Sequence, residues 1–173
     1  EEIGNLKLEI RDQPIHVFRQ QNKGAPAARN RGFRESRGDY VIFWDADVVG
    51  DPEMLQKMYR ALQENSEASY AYSNFYFGLK RMPAQKFDPE VLKQINYIMS
   101  TSLIRREDFP KQGWDESLKR FQDWDLWLTM LENKKIGVYV SEYLFRVIPH
   151  KGGMSAWLPK FAYKFPFKFL PWV

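Results

Sequence analysis

The chain has 173 residues, 44% of them hydrophobic and 16% aromatic, so it can bury one core and is too short for two ordinary domains. It contains no cysteine. Disulfides, thiolate metal sites and cysteine nucleophiles are therefore excluded, and any metal must be held by oxygen or imidazole. The net charge is +4, but residues 151–173 carry four lysines and no acid, so residues 1–150 balance 22 bases with 22 acids. This balance disfavours a nucleic-acid surface.

The first predicted elements are a strand, a helix and a second strand. Residues 15–19 are mostly β-branched or aromatic, which favours a strand, and a turn-forming segment follows at residues 22–24. Residues 25–36 have a proline near the first helical position and Gly38 beyond the end, which is typical of a helix. The apolar run over residues 40–44 predicts a strand buried on both faces of a parallel sheet.

The later segments continue this alternation. Asp51 and Asp88 each precede Pro-Glu, which predicts that each aspartate is the N-cap of a helix. Another helix is predicted after Asp123, with an apolar face. The predicted strands cover residues 69–77, 98–105, 136–140 and 143–148, and the predicted buried face of the helix after Asp51 consists of Leu55, Met58 and Leu62. The alternation indicates an α/β domain without an internal repeat.

Asp45 and Asp47 follow the strand predicted over residues 40–44. In open α/β sheets ligands gather at the carboxyl ends of strands, and side chains two residues apart in extended backbone point to the same side. Two carboxylates placed in this way can hold Mg²⁺ or Mn²⁺, which in turn neutralises a diphosphate. The alternative is that both aspartates merely cap the turn after the strand.

Residues 20–47 resemble the central signature of the family 2 glycosyltransferases. The matching parts are Asn-x-Gly at residues 22–24, Ala-Arg-Asn-x-Gly at 28–32, Gly-x-Tyr at 38–40, and a hydrophobic strand ending in Asp-x-Asp at 45–47. The resemblance implies a GT-A fold, that is, a Rossmann-like α/β fold with a mixed, mostly parallel sheet flanked by helices. It also implies transfer of a sugar from a UDP- or GDP-sugar donor to an acceptor hydroxyl, with Mg²⁺ or Mn²⁺ and the diphosphate bound by Asp45 and Asp47.

The same resemblance places four residues of the turn and helix near the donor. These are Asn22, Gly24, Arg29 and Asn30. A glycine-containing turn that leads into a helix offers backbone N–H groups to an anion, and Arg29 would neutralise phosphate. The alternative for Arg29 is a structural ion pair with a neighbouring carboxylate.

The segment 121–127, Phe-Gln-Asp-Trp-Asp-Leu-Trp, is similar to the family's Glu-Asp-Trp-Asp-Leu-Trp segment. The resemblance makes Asp123 the general base of an inverting transfer, which takes the proton of the acceptor hydroxyl as that oxygen attacks the anomeric carbon. Gln122 stands where the family usually has glutamate. Without the resemblance, Asp123 would be read as a helix N-cap; Asp125 is either an acceptor ligand or a first-turn acid.

Three further residues are candidates for the site. Trp114 and Trp124 would stack against an acceptor sugar, with core packing as the alternative for each. Residues 145–155 resemble the segment that follows the last core strand in the family. His150 would bind the metal there, although it lies two positions later than the family spacing, and a loop histidine is the alternative.

The resemblance covers residues 15–155, and the family's earlier strand–helix–strand unit, which binds base and ribose, is not recognised before Ile15. We therefore expect a unit of about 50 to 60 residues to be lacking. The first strand of such a domain would expose a sheet edge, which predicts that a partner chain or self-association covers it.

We predict a partial GT-A domain over residues 1–155 and a basic aromatic tail over residues 156–173. The tail would contact a membrane surface, which suits a lipid-linked acceptor, or dock on the domain. The absence of cysteine fits a reducing compartment, and no apolar run is long enough to cross a bilayer. We therefore expect a cytoplasmic location, either soluble or peripheral at the inner face of the membrane. The resemblance implies a role in polysaccharide or cell-envelope synthesis.

Two other functions remain open. A catalytically silent module that binds sugar nucleotides or glycans, or serves as a scaffold, is indicated by Gln122 and by the lacking nucleotide half. A sugar nucleotidyltransferase would need a glycine-rich, lysine-bearing phosphate loop near its start, and the sequence shows none.

Overall fold

The computed structural model describes residues 8–10 and 13–149, with side chains from Ile15 onward. The helices are α1 (Ala25–Glu35), α2 (Met54–Glu64), α3 (Pro89–Gln94) and α4 (Gln122–Glu132), with a 3-10 turn at Arg106–Asp108. The strands are β1 (Leu8–Ile10), β2 (Gln13–Ile15), β3 (Tyr40–Ile42), β4 (Val48–Gly50), β5 (Ala68–Phe77), β6 (Lys80–Met82), β7 (Leu103–Arg105) and β8 (Ile136–Val147).

The main sheet has the order β3-β7-β5-β8-β4, with β6 paired to β5, while β1 and β2 form a separate antiparallel hairpin. The mixed α/β architecture is as expected. The expectation of mostly parallel pairing is wrong for the described strands, where β5 and β8 form the one parallel pair. Because β3 and β5 are both antiparallel to β7, the carboxyl ends of β3, β5 and β8 lie at the same edge of the sheet.

One face of the sheet is covered by α2. Met54, Met58 and Leu62 are fully buried there against β5, β7 and β8. Leu55, predicted to lie on this face, is instead 47% exposed. Met54 takes its place because it lies four residues before Met58, and residues at i and i+4 share a helix face.

The opposite face carries an aromatic core beneath α3 and α4. Tyr70 of β5 stacks on Trp127 of α4 with ring centroids 4.6 Å apart, and the Trp127 indole N–H donates to the carbonyl of Ile98 at 2.9 Å. Gly137 of β8 leaves room for this stack. A Cβ at Gly137 would lie 2.4 Å from Cε2 of Tyr70 and 2.8 Å from Cε1 of Tyr72. The close approach of backbone and rings therefore requires glycine at this position.

Several element boundaries differ from the expectations. The first predicted strand is wrong, since β2 ends at Ile15 and residues 16–24 have no regular structure. The strand predicted over residues 98–105 is confined to β7, because a tight turn from Ser102 N–H to the Ser100 carbonyl precedes it. Residues 136–140 and 143–148 belong to one strand, β8, rather than two.

The strand after α1 is shorter and less central than expected. β3 ends at Ile42, pairs antiparallel with β7, and lies at the end of the described sheet. Its buried side chains are Val41 and the following Phe43, while Trp44 is 44% exposed. A groove of about 440 Å³ runs between this strand and α1. Self-association stays a prediction.

The two predicted helix caps have different outcomes. The Asp88 carboxylate accepts hydrogen bonds from the backbone N–H groups of Glu90 (2.9 Å) and Val91 (3.1 Å), so its N-cap role is confirmed. Asp51 instead accepts from Glu53 N–H at 2.9 Å within a turn that precedes α2, whose N-cap is Glu53. The aspartate–proline signal thus located both helices to within three residues.

Over the residues that the structure describes, no helix has the length and hydropathy needed to cross a bilayer. The predicted tail, residues 156–173, lies outside the described residues. The boundary at residue 155 therefore stays a prediction.

Gly137→Ala is expected to lower the free energy of unfolding by about 1 to 3 kcal/mol. The added methyl overlaps the ring of Tyr70, which stacks on Trp127, and the ring of Tyr72, which packs on Tyr97 and Tyr139. Urea denaturation followed by tryptophan fluorescence measures the change.

Gly32→Ala is the matched control. Gly32 is an exposed residue of α1, and a Cβ there would meet nothing within 4 Å. This substitution is expected to be neutral or to stabilise by up to about 1 kcal/mol. Equal losses in the two variants would contradict the packing described around Gly137.

Candidate functional site

The turn after β3 places two carboxylates at the carboxyl edge of the sheet. The backbone N–H of Val48 donates to the carbonyl of Asp45 at 3.1 Å and closes the turn, and the N–H of Ile148 donates to the carbonyl of Asp47 at 2.8 Å. The turn is thereby attached to the end of β8. Asp45 and Asp47 are each partly exposed.

Arg29 of α1 joins this turn to α4. Its Nη2 donates to both carboxylate oxygens of Asp45, at 2.9 and 3.0 Å, and its Nη1 donates to Oε1 of Gln122 at 3.2 Å. The guanidinium also lies 4.6 Å from the centre of the Trp114 ring, and the Arg29 side chain is only 14% exposed. Of the two roles considered for Arg29, the structure contains the ion pair with a neighbouring carboxylate.

The turn before α1 determines where the helix that carries Arg29 begins. The side-chain oxygen of Asn22 accepts from the backbone N–H of Gly24 at 3.0 Å, and Gly24 has φ +90° at the N-cap of α1. A positive φ of this kind is readily adopted by glycine and rarely by other residues. Asn22 and Gly24 therefore shape the entry to the helix, and donor binding by either stays a prediction.

Asn30 is occupied by the loop that carries Trp114. Its amide nitrogen donates to the Trp114 carbonyl and to Oε1 of Glu116, both at 2.9 Å, and its oxygen accepts from Trp114 N–H at 2.8 Å. Gly113, with φ +71°, leaves the space, since a Cβ there would lie 2.4 Å from the Asn30 oxygen. The geometry thus favours a structural role for Asn30 over the predicted contact with the donor.

Asp123 lies in the first turn of α4, where the N-cap is Phe121 rather than Asp123. Its carboxylate accepts from the Asn96 side-chain amide at 2.8 Å and from the backbone N–H of Trp124 at 2.9 Å. Burial raises the pKa of Asp123, while these hydrogen bonds and the charge of Arg29 act in the opposite direction. A carboxylate that is both oriented and made more basic is suited to take a proton.

The start of α4 is held in an unusual conformation. Phe121 has φ +57°, which a bulky side chain rarely adopts and which costs on the order of 1 to 3 kcal/mol. The neighbouring Gln122 is buried, and its amide nitrogen donates to the Leu118 carbonyl at 3.0 Å while its oxygen faces Arg29. In this conformation the Gln122 side chain accepts a hydrogen bond from Arg29, and the Asp123 carboxylate accepts one from Asn96.

The two candidate stacking tryptophans belong to the core. Trp114 is 2% exposed and meets Phe43 edge to face at 5.0 Å, and Trp124 is 1% exposed with its indole N–H donating to the Leu92 carbonyl at 2.7 Å. A ring this buried offers no face to a sugar. The prediction that Trp114 and Trp124 stack on the acceptor is therefore wrong for this conformation, and core packing, the alternative, is correct.

Asp125 faces a different side of α4 from Asp123. Two residues along a helix correspond to a rotation of about 200°. Asp125 lines a groove of about 510 Å³ together with Asn30, Asp115, Glu116 and Thr129. Burial raises the pKa of Asp125, and the charges of Asp115 and Glu132 add to the effect. Acceptor binding by Asp125 stays a prediction.

The turn after β3 fits a divalent cation in the chemistry of its donors. Asp45 and Asp47 supply carboxylate oxygens, which Mg²⁺ and Mn²⁺ prefer, and a diphosphate would complete the coordination. Within residues 15–149, no group of three metal-binding side chains is present. Both carboxylate oxygens of Asp45 accept from Arg29. His150 lies outside the described residues, and its metal role stays a prediction.

Sequence reasoning missed two contributors to the site. Gln122 was noted only as a departure from the family, whereas it binds Arg29. Asn96, which orients Asp123, was not noticed because it lies 27 residues away in a segment that matches no motif. A polar residue inside the otherwise apolar stretch around Ile95 and Tyr97 was the available signal.

The comparisons with known proteins concern the family and the fold. The family model described as glycosyl transferase family 2 matches residues 4–116. An uncharacterized glycosyltransferase of Methanocaldococcus jannaschii is 25% identical over 149 residues, covering 79% of this chain and 51% of the relative. The cholesterol galactosyltransferase of Borreliella burgdorferi is 27% identical over 166 residues, covering 82% and 46%.

A solved structure shows the same fold. Residues 1–349 of TarS from S. aureus superpose with a TM-score of 0.60 at 16% identity, over 75% of this chain and 42% of that one. At this identity the likeness concerns the fold alone, which is of the GT-A type. The chain spans about half the length of the curated relatives it matches.

Asn30→Ala is expected to lower the free energy of unfolding by about 1 to 3 kcal/mol, because the N–H and carbonyl of Trp114 would lose a buried partner. Urea denaturation measures the change in the free energy of unfolding. Arg34→Ala, on the exposed side of the same helix, is the control and is expected to change stability by less than about 0.5 kcal/mol. A loss no larger than the control's would show that Asn30 does not hold the loop.

Proposed function

Because the chain belongs to glycosyltransferase family 2, we propose that it forms part of an enzyme that transfers a sugar, with inversion, from a nucleotide-sugar donor to an acceptor hydroxyl. The observation that carries the proposal is the contact of Arg29 with both Asp45 and Gln122. This contact holds the turn with the two carboxylates against the helix start that bears Asp123. The proposed donor turn and the helix start with the proposed base are thus joined through one side chain.

The donor diphosphate is proposed to bind at the turn of residues 45–47. Asp47 would hold Mg²⁺ or Mn²⁺, with Asp45 beside it, and the cation when bound would neutralise charge that grows on the leaving diphosphate. Arg29 keeps Asp45 in place and contributes a positive charge at the same edge. Its side chain is too buried to be a freely moving phosphate ligand, which supports a positioning role.

Asp123 is proposed to act as the general base. It takes the proton of the acceptor hydroxyl as that oxygen attacks the anomeric carbon from the face opposite the departing nucleotide. Asn96 and the Trp124 N–H bind one oxygen each, which fixes the orientation of the carboxylate. The raised pKa makes Asp123 a stronger base than an exposed aspartate.

The substitution of glutamate by Gln122 does not favour a catalytically silent module. The Gln122 side chain binds Arg29 and the Leu118 carbonyl, and the Asp123 carboxylate is held by other groups. The amide keeps the hydrogen bond to Arg29 without adding a second negative charge next to the base. The proposed base is therefore present, which supports a catalytic function over a silent binding module.

Neither the nucleotide nor the acceptor follows from family membership. One relative is named a cholesterol galactosyltransferase, and another is named a putative teichuronic acid biosynthesis glycosyltransferase. These names concern a lipid and an anionic polysaccharide. A UDP- or GDP-sugar donor is proposed on the family resemblance.

Calorimetric titration with UDP and with GDP, each with and without Mn²⁺, tests the donor site. One nucleotide is expected to bind, and binding is expected to weaken at least about tenfold when Mn²⁺ is omitted or when Asp47 is replaced in Asp47→Asn, because a cation ligand is lost.

Asp39→Asn is the matched control, since Asp39 is exposed and precedes β3 at the end opposite to the site. It removes the same charge and is expected to leave nucleotide binding within about twofold. Binding that is indifferent to Mn²⁺ and to Asp47→Asn, or no binding of either nucleotide, would contradict the proposed donor site.

A further inference from the structure

Four side chains form a continuous stack at the carboxyl ends of β5 and β8. Arg81 lies over the ring of Tyr143 at 5.7 Å, Tyr143 packs on Tyr76 at 4.7 Å between ring centres, and Arg146 lies over Tyr76 at 4.4 Å. We call these residues the Arg–Tyr row. Cross-strand pairing of Tyr76 with both Arg81 and Arg146 sets the row across three strands on one face of the sheet.

The row presents hydrogen-bond donors rather than ring faces. Each tyrosine ring is covered by the other tyrosine and by a guanidinium, so a sugar cannot lie flat on either ring. What remains at the edges are phenol hydroxyls and guanidinium N–H groups. Arg146 uses one N–H for the Gly78 carbonyl, and a guanidinium has five. A cluster of such donors is suited to an anion with several oxygens.

The ion pairs formed among the described side chains do not include the row. Among the side chains that the structure describes, neither Arg81 nor Arg146 takes part in an ion pair, whereas Arg29, Arg31 and Lys57 do. Arg81 is exposed, and Tyr76, Tyr143 and Arg146 are partly exposed. Each guanidinium lies at one end of the row. A guanidinium without a carboxylate partner favours a phosphate ligand, which it binds through parallel N–H groups.

The row lies next to the candidate donor turn. Val49 of β4, which follows Asp47 by two residues, pairs with Arg146, and the N–H of Ile148 binds the Asp47 carbonyl at 2.8 Å. The stack is therefore attached to the same sheet edge as the carboxylates. A phosphate bound there would be held beside the donor rather than in place of it.

Exposed apolar side chains surround the row. Leu79 is 96% exposed at the tip of the hairpin between β5 and β6, Val49 is 59% exposed and Ile148 is 45% exposed. Leu79 adjoins Gly78, whose carbonyl Arg146 binds. Apolar side chains around phosphate donors fit a ligand whose phosphate lies at a membrane surface and whose chain lies in lipid.

We propose that the Arg–Tyr row binds the phosphate of a lipid-linked acceptor, with Leu79, Val49 and Ile148 in contact with the lipid surface. The proposal rests on the proposed glycosyltransferase function, for which it names the acceptor class. It assigns a binding role to Arg81 and Arg146 and no part in the chemical step.

The test is binding of the full chain to vesicles of phosphatidylcholine with and without a minority of phosphatidic acid, measured by co-sedimentation. Wild type is expected to bind the vesicles that contain phosphatidic acid. Arg81→Gln with Arg146→Gln is expected to weaken this binding about tenfold or more, since each cation near an anionic surface contributes to affinity. Arg81→Lys with Arg146→Lys keeps the charge but loses the forked donors. Its binding to these vesicles is expected to be weaker than that of wild type and stronger than that of the glutamine pair.

Arg34→Gln with Arg60→Gln is the control for net charge, because both residues are exposed on helices and the same two charges are removed. It is expected to stay within about twofold of wild type. Equal weakening in the two glutamine pairs would overturn the proposal in favour of a general charge effect. No binding by wild type, or binding of soluble inorganic pyrophosphate with none to vesicles, would overturn the lipid source.

Nucleotide titration of the same variants separates this proposal from the proposed function. The Arg81→Gln, Arg146→Gln protein is expected to bind UDP or GDP with Mn²⁺ as wild type does. If wild type itself binds no nucleotide, the proposed function fails whatever the vesicles show. If nucleotide binds and the vesicle result is negative, the acceptor proposal alone fails.

Discussion

A single partly buried cation, Arg29, connects the three elements from which the site is built. Its guanidinium reaches from α1 to the turn after β3 through Asp45 and to the start of α4 through Gln122, and it rests on the Trp114 ring. Removing one partner of a fully buried pair costs about 3 to 5 kcal/mol, because the other charge stays behind without compensation. Asp45 is 40% exposed, so water reduces that cost here. The pair is therefore strong enough to position the turn and leaves it accessible to a ligand.

The core under α4 determines where the proposed base lies. The indole N–H groups of Trp124 and Trp127 donate to the carbonyls of Leu92 and Ile98, which bracket the segment that carries Asn96. Asn96 in turn binds the Asp123 carboxylate. Trp124, which was predicted to stack on a sugar, and Trp127 thus act, through Asn96, on the orientation of the base. Their burial stabilises the fold and prepares the site with the same contacts.

The features that were predicted best from the sequence are those that depend on neighbouring residues. All four α-helices of the described residues were located. A proline after a turn or after an aspartate indicated three of them, and the apolar face after Asp123 indicated the fourth, and each signal acts over a few neighbouring residues. The turn of residues 45–47 at a sheet edge was also expected. Strand pairing was not predictable, since whether β3 lies at the centre or the end of a sheet depends on residues far along the chain.

The site shows the same division between local and distant contacts. Asp45 and Asp123 were recognised by motif, and Gln122 by its departure from the motif. The partners that orient them lie 16 to 93 residues away in sequence, as in the contacts of Arg29 with Asp45 and Gln122. Trp114 was misjudged because an aromatic residue has the same composition signal in a core and in a sugar-binding site.

The central claim is that Asp123 removes the acceptor proton, and release of UDP or GDP from the corresponding nucleotide-sugar measures it most directly. Wild-type turnover is expected to rise with pH through a pKa above that of an exposed aspartate, since burial raises the pKa of Asp123 and only the ionised form accepts a proton. Asp123→Asn is expected to lower turnover by about 100-fold or more without weakening nucleotide binding. Asp125→Asn, on another side of the same helix, is expected to keep turnover within about tenfold. Turnover by Asp123→Asn equal to that of the Asp125 variant, with an unchanged pH dependence, would contradict the account.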